Sequence, residues 1–368
     1  MEIKTPKEVL YQVLQTIHSV SDKRNTMPIL SHVLLEAKEK ELRLAATDLE
    51  LAMETKIELS VMSQGAAAVP CRKLFEIVRE MPDGIVHLKL EPEFSLRISC
   101  NDVLIRLKGL DPVEFPVFKK PEKEATSQVK ARIVAQMIDR TIYAVATEDM
   151  QFNLSGIHVE KVAETGEIRF VATDGNRLSL VDRPLDLFIP EGLSVILPRK
   201  GIVELRKLLS AEQDSISWGI MDGQMVVLTS NYSLYIRLVD GIFPSYQEVI
   251  PRFGPNRARV NREQFSMALK RASLLSDPRF LGVNLGFSRQ GISVASNNPD
   301  LGDSAELIPV DYTGEPVSIL LNPRYLIDIA SCLENETVLL ELNDGSSAVI
   351  VRDPGDEKFL GVVMPMRV

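Results

Sequence analysis

The sequence predicts an α+β protein made of three repeated domains, each with two helices packed on antiparallel sheets. Two recurring segments carry that prediction. Leu44-Ala45-Ala46-Thr47-Asp48 returns as Phe170-Val171-Ala172-Thr173-Asp174 and then as Val294-Ala295-Ser296-Asn297-Asn298, a period of roughly 125 residues. Val69-Pro70-Cys71-Arg72-Lys73-Leu74-Phe75-Glu76-Ile77 returns as Leu197-Pro198-Arg199-Lys200-Gly201-Ile202-Val203-Glu204-Leu205 and as Leu321-Asn322-Pro323-Arg324-Tyr325-Leu326-Ile327-Asp328-Ile329. Each copy closes on an apolar-Pro step, at Phe115-Pro116, Phe243-Pro244 and Met364-Pro365. Such a period is too long for a solenoid unit and suits a small domain. Three copies in one chain suggest a curved assembly rather than a pocket enzyme.

The elements follow in the same order in each copy. Thr5-Pro6-Lys7-Glu8 reads as a capping box with Pro at the first helical position, ahead of Val9, Leu10, Val13, Leu14, Ile17 and Val20 at helical spacing. Ile133, Val134, Met137, Ile138, Ile142 and Val145 form the matching stripe in the second copy. In the third, Asn261 is the expected N-cap for Phe265, Ala268, Leu269, Ala272 and Leu275. Strands are expected over 29–36, 41–46 and 52–60, then over 157–162, 168–172 and 178–181, from apolar/polar alternation. A second helix follows Pro70, Pro198 and Asn322, and further strands such as 86–90, 96–99 and 103–107 complete a copy. The charged, Pro-broken stretch 118–126 and the stretch 251–256 read as linkers, which gives domains 1–126, 127–254 and 255–368.

The 368 residues, 45% hydrophobic and 25% charged, are those of an ordinary globular protein. No run approaches the about 18 apolar residues of a membrane span, and the N-terminus lacks the apolar stretch of a signal peptide. No membrane role is expected. Cys71, Cys100 and Cys332 are scattered, without disulfide or metal-ligand spacing, and fit packing residues in a reducing cytoplasm. The four histidines, His18, His32, His87 and His158, have no ligand spacing. Neither a phosphate-cradling Gly-rich loop nor Gly-x-Ser-x-Gly occurs, so no catalytic residue, metal or cofactor is predicted.

Asp48 and Asp174 could be imagined as the paired acids of a metal-dependent nuclease or phosphotransferase. Equivalent residues of successive domains lie a domain width apart, whereas paired ions sit about 4 Å apart. The third copy has Asn298 at that place, so a turn-forming role is expected. The net charge of −9 argues against a simple nucleic-acid binder unless positive charge is gathered on one face. It recurs at the helices: Lys23 and Arg24 lie just beyond the first helix, Arg72, Lys73 and Arg79 are on the second, and Arg199, Lys200, Arg206 and Lys207, then Arg324, hold the matching place in the later copies. Lys130, Arg132, Arg140, Lys270 and Arg271 mark the leading helices of the later copies. Acids such as Glu36, Glu39, Glu41, Glu50, Glu54 and Glu58 load the strands. The pattern fits phosphate contact without base readout, through Arg24, Arg72, Lys73, Arg79, Arg199 and Lys200. A repeat scaffold for proteins with no nucleic-acid role is the other alternative.

Over its whole length the chain resembles the bacterial DNA polymerase III beta subunit, the sliding clamp. The specific segments are Val171-Ala172-Thr173-Asp174-Gly175-Asn176-Arg177-Leu178, Leu197-Pro198-Arg199-Lys200-Gly201, Leu238-Val239-Asp240-Gly241-Ile242-Phe243-Pro244-Ser245-Tyr246 and the ending Val362-Val363-Met364-Pro365-Met366-Arg367-Val368. The resemblance implies a DNA-clamp fold and a head-to-tail homodimer, a ring with helices lining the hole. It implies a processivity factor that slides on double-stranded DNA without sequence preference and is not an enzyme. Its partners would be the DNA polymerase III alpha subunit, the clamp loader, and clamp-binding-motif proteins such as translesion polymerases, ligase and mismatch-repair factors.

Carried over by matching motif, the peptide pocket would use Leu154, Thr173, Gly175, Asn176, Arg177, Leu178, Pro244, Val249, Asn322, Tyr325, Ser347, Val362, Met364, Pro365, Met366 and Arg367. The dimer seam would join Ile105 and Leu107 on an edge strand to Leu274 and Leu275 of the other subunit, which covers an edge otherwise prone to aggregation. Asn176 stands where the family often has His, and Gln247-Glu248 where it has basic residues. The loop 149–153 lacks the Arg and paired aromatics found there in some members.

Overall fold

The computed structural model describes residues 1–21, 27–116, 126–147, 152–187, 189, 193–211, 215–252, 254–276 and 281–366. Six α-helices lie in it: α1 Lys7–Ile17, α2 Cys71–Glu80, α3 Ala131–Asp139, α4 Arg199–Ala211, α5 Arg262–Ser273 and α6 Pro323–Cys332. Each is entered from a strand, the six strands being Glu2–Pro6, Gly65–Pro70, Ser127–Lys130, Val195–Pro198, Asn256–Asn261 and Val317–Leu321.

The chain forms two compact units, and they do not follow the order of the repeats. The first holds Met1–Arg132, Asp186–Ile189 and Lys200–Leu238; the second holds Ile133–Leu185, Pro190–Arg199 and Val239–Val368. Each is built on a long antiparallel sheet that joins strands of two repeats. In the first unit the order is Ser127–Lys130, Ser215–Met221, Gln224–Leu228, Tyr232–Arg237, Leu51–Glu58, Glu41–Thr47, His32–Lys38 and Gly65–Pro70. The joint is Tyr232–Arg237 against Leu51–Glu58, with Leu234 opposite Met53. In the second unit the order is Val195–Pro198, Gly156–Lys161, Ile168–Thr173, Arg177–Arg183, Asp356–Val363, Val349–Asp353, Thr337–Leu342, Asn256–Asn261 and Asp311–Thr313. Here Asp356–Val363 meets Arg177–Arg183, with Leu178 opposite Val362.

A smaller sheet completes each unit: Ser60–Ser63, Glu2–Pro6, Ile85–Leu90, Ser95–Cys100 and Val103–Lys108 in the first, and Gly302–Ile308, Gly291–Asn298, Val283–Ser288 and Val317–Leu321 in the second. Helices α1 and α2 pack together in the first unit, α5 and α6 in the second. Leu10, Leu14 and Ile17 of α1 and Leu74 and Val78 of α2 are buried, as are Phe265 and Leu269 of α5 and Leu326 and Ile329 of α6. A fully buried Leu or Phe contributes about 2 kcal/mol relative to exposure, so these stripes fix the helices to their sheets.

Several local expectations need correction. The capping box at Thr5 does not form. Thr5 is buried in a strand opposite Val86, its hydroxyl makes no helix cap, and Pro6 is the N-cap rather than the first helical residue. Strand pairing to Ile85–Leu90 takes the residue that a capping box would need. Helix α3 stops at Asp139, so Ile142 sits in a 3₁₀ turn and Val145 beyond it. Residues Pro28–Ser31 form a 3₁₀ turn before the strand His32–Lys38 begins. Asn261 does cap α5, its Oδ1 accepting the Gln264 N–H at 3.0 Å.

Candidate functional site

The repeated Asp closes a turn between two strands. Asp48 Oδ1 accepts the N–H of Glu50 at 2.9 Å and of Leu51 at 2.6 Å. Asp174 Oδ1 accepts those of Asn176 at 3.0 Å and Arg177 at 3.1 Å. Asn298 Oδ1 accepts those of Asp300 at 3.0 Å and Leu301 at 3.2 Å. The turn needs an acceptor oxygen and no charge, which is why an amide serves in the third copy. The second oxygens are also engaged: Asp48 Oδ2 holds the Lys200 ammonium, and Asp174 Oδ2 accepts Arg177 Nε at 3.0 Å. Among the described residues no cluster of His, Cys, Asp and Glu could hold a metal ion.

The Asp174 turn forms one wall of an apolar cleft of about 150 Å³ in the second unit, lined by Leu154, Thr173, Gly175, Arg177, Leu178, Pro244, Ser245, Tyr246, Val249, Val362 and Met364. Its floor is the packed group Val171, Leu180, Ile196, Phe243, Ile350 and Leu360. Gly175 belongs here because the turn puts it at φ +85°, with nothing within 4 Å of where a Cβ would lie. Arg177 is held from several sides. Its Nε meets Asp174, its Nη1 donates to Asp328 at 2.5 Å, and its guanidinium lies 4.5 Å from the Tyr325 ring centroid and 5.5 Å from that of Tyr143. Burial, with Asp174 nearby, raises the Tyr325 phenol above its ordinary range.

Asn176, Asn322, Tyr325, Ser347, Pro365 and Met366, also expected in the pocket, are not among the residues that line the cleft. The Met364 N–H donates to Asn176 O at 2.8 Å and the Met366 N–H to Leu320 O at 2.9 Å, so the residues either side of Pro365 are tied down. Asn322 caps α6 through the Arg324 N–H at 3.0 Å. Ser347 donates its N–H to Asp344 Oδ1 at 2.8 Å. Arg367 lies outside the described residues. Sequence reasoning missed Ser245 and Tyr246, although both sit in the quoted segment ending at Tyr246.

A polar chain supports the cleft from behind. Tyr246 Oη donates to Glu160 Oε1 at 2.5 Å and accepts from Arg169 Nη1 at 3.1 Å; Arg169 grips both oxygens of Asp182 at 2.7 Å. Burial and the Glu160 contact push the Tyr246 phenol up to about 12. Hydrogen bonding from His158 leads in lowering the Glu160 carboxyl, and the His158 ring stacks on Phe243 at 4.7 Å.

The basic residues are less uniform than their recurrence suggests. Arg72, Lys73 and Arg79 are exposed on α2, and Glu76 accepts from Arg72 at 3.0 Å and Lys73 at 2.7 Å, while Glu80 accepts from Arg79 at 2.9 Å. Arg199 donates to Val145 O at 3.4 Å, and Lys200 is tied to Asp48. Lys23 and Arg24 lie outside the described residues, as do 149–151 of the loop 149–153. Arg140 departs from the expected helical face altogether: only 3% exposed, it is paired with Asp353 and Asp356 beneath the Phe359 ring. Those acids lie far along the chain, and desolvating an Arg is tolerated only with such partners.

Ile105 and Leu107 are half-buried on Val103–Lys108, the edge strand of the small sheet in the first unit, beside the exposed Val103 and Leu104. Leu274 follows α5 and is 77% exposed; Leu275 beside it is half-buried.

Repeats joined through shared sheets, with an apolar cleft lined in part by Val362 and Met364, define a repeat-built α+β protein. Three family models match in succession: the DNA polymerase III beta subunit N-terminal domain over 1–119, the central domain over 128–245 and the C-terminal domain over 247–367. The chain belongs to the DNA polymerase III beta subunit family. It is 31% identical to the beta sliding clamps of Pseudomonas putida and Escherichia coli, with all of each chain covered. Among solved structures, a sliding clamp from Bartonella birtlesii bound to griselimycin is 33% identical with a TM-score of 0.95, and the Bacillus subtilis clamp is 27% identical with a TM-score of 0.93. Both comparisons cover the whole of this chain, with 100% of the Bartonella chain and 99% of the Bacillus chain. No described helix is long and apolar enough to cross a membrane.

Proposed function

We propose that the chain is one half of a head-to-tail homodimeric ring that encircles double-stranded DNA and tethers the replicative polymerase to it, with no catalysis of its own. The observation that carries this is the succession of three clamp-family domains over 1–119, 128–245 and 247–367. The proposed domains are 1–126, 127–254 and 255–368. Phosphates would be met by Arg24, Arg72, Lys73, Arg79, Arg199 and Lys200, weakly and without base readout, as sliding requires. The seam would bring Ile105 and Leu107 of one subunit to Leu274 and Leu275 of the other. Exposed apolar residues on a sheet edge and beyond a helix end support it.

The cleft is the docking place for a short linear peptide. Its lining is mostly apolar, and Arg177 offers a cation at its wall. The DNA polymerase III alpha subunit would use it, as would the clamp loader, translesion polymerases, ligase and mismatch-repair factors in turn. Tethering raises the polymerase's effective concentration at the primer end, so it rebinds before it diffuses away. Primer extension by the alpha subunit with clamp loader tests the reading. Wild-type protein should lengthen the products per binding event, and Leu178→Asp should abolish that gain. Equal product lengths with wild type and Leu178→Asp would overturn it.

A further inference from the structure

Arg177 carries the one charged side chain among the described residues that line the cleft. Its charge is already met. Nε donates to Asp174 Oδ2 at 3.0 Å and Nη1 to Asp328 Oδ2 at 2.5 Å, so two carboxylates flank one guanidinium. Asp328 does not line the cleft itself. It sits one helical turn after Tyr325 on α6, and that spacing brings ring and carboxylate to the same guanidinium. An acid recurs at this place in every copy, as Glu76, Glu204 and Asp328. Glu76 pairs within its own helix with Arg72 and Lys73, and Glu204 does so with Lys207. Asp328 reaches instead an Arg of the preceding repeat, at the cleft wall.

We propose that Asp328 is a specificity-determining residue of the cleft: with Asp174 it cancels the charge of Arg177, so that the wall gives a peptide carboxylate no advantage over a neutral side chain. This rests on the reading of the cleft as a peptide site. A lone guanidinium at an apolar wall would attract a carboxylate through a charge-assisted pair. One already held between two acids offers its remaining N–H donors to neutral carbonyl oxygens, and a third carboxylate meets repulsion from the first two. The charge preference of the cleft is thus set from behind its wall, by α6, and not by a residue that touches the peptide.

The test is fluorescence anisotropy on the full chain. The probes are fluorescein-labelled peptides with a Leu-Leu-Phe core, each carrying a single Glu or a single Gln at one flanking position. With the wild type, Glu should bind no better than Gln at any position. With Asp328→Asn, Glu should bind about fivefold tighter than Gln at the position nearest Arg177, and the advantage should shrink between about 50 mM and about 500 mM salt. The Gln peptides should change less than about twofold. Asp328→Glu, which restores the charge, should return the wild-type ratio, and Arg177→Gln added to Asp328→Asn should erase the Glu advantage. An unchanged Glu-to-Gln ratio in Asp328→Asn would overturn the proposal. So would equal weakening of both peptide series, since Asp328 would then serve the fold alone. Leu178→Asp separates the two readings: if it leaves binding of the Gln peptides intact, the cleft reading itself fails.

Discussion

The guanidinium of Arg177 lies 4.5 Å from the ring centroid of Tyr325, and at the equivalent places one repeat earlier the chain has Leu51 and Gly201. A Cβ on Gly201 would come within 2.3 Å of Ile236 Cγ2 and 3.2 Å of Leu51 Cδ2. One shared sheet is therefore backed by close aliphatic packing, the other by a cation over an aromatic ring. That difference accounts for a cleft with a charged wall in the second unit. Arg177→Lys keeps the charge but loses the flat stacking surface and the fork that meets Asp174 and Asp328. It should cost about 1–3 kcal/mol in urea denaturation, whereas Tyr325→Phe, which keeps the ring, should cost about 0.5 kcal/mol or less.

The two oxygens of Asp48 have separate duties, a turn and the Lys200 ion pair. Asp48→Asn should keep the turn, as Asn298 does, and lose only the pairing with a half-exposed Lys, about 1 kcal/mol or less. Asp48→Ala should lose both, at about 2 kcal/mol. Equal losses in the two variants by urea denaturation would contradict the division.

Leu49 and Gly175 occupy the same turn position, at φ 76° and 85°. Gly175 has no neighbour that a methyl group would strike. Gly175→Ala should therefore cost about 1 kcal/mol from backbone conformation alone, with no packing change. A denaturation curve unchanged from wild type would refute that.

Asp344 lies fully exposed in the turn that leads to Ser347, where hydrogen bonds from the Ser346 and Ser347 backbone and hydroxyls lower its carboxyl to about 2, against an ordinary 3.8. Because the folded value is the lower one, the turn's stabilisation is whole above the ordinary value and fades as pH falls through about 2. Carboxyl NMR should place its titration near 2, and Ser346→Ala should move it upward. A titration at the ordinary value would contradict the turn geometry.

Much of this was legible because repeats impose the same turn and the same strand-to-helix step three times. The strands 41–46, 168–172 and 103–107 lie within residues of their observed ends, since local alternation governs them. Glu2–Pro6, Ser127–Lys130 and Asn256–Asn261 were not expected as strands. They are short, and their partners lie far along the chain, at Ile85–Leu90, Ser215–Met221 and Thr337–Leu342. The same distance hid the burial of Arg140, whose acids come from Asp353 and Asp356. Leu154, Thr173, Pro244 and Met364 could be assigned to one site only through the family resemblance. Periodicity places residues on faces of elements but does not say which elements meet.

The central claim, a closed ring on DNA, is tested most directly by retention on a nicked circular duplex after loading, followed by linearisation. The protein should stay on the circle through gel filtration and leave once a free end exists, with no sequence preference. Equal retention on circular and linear DNA, or none on either, would contradict it.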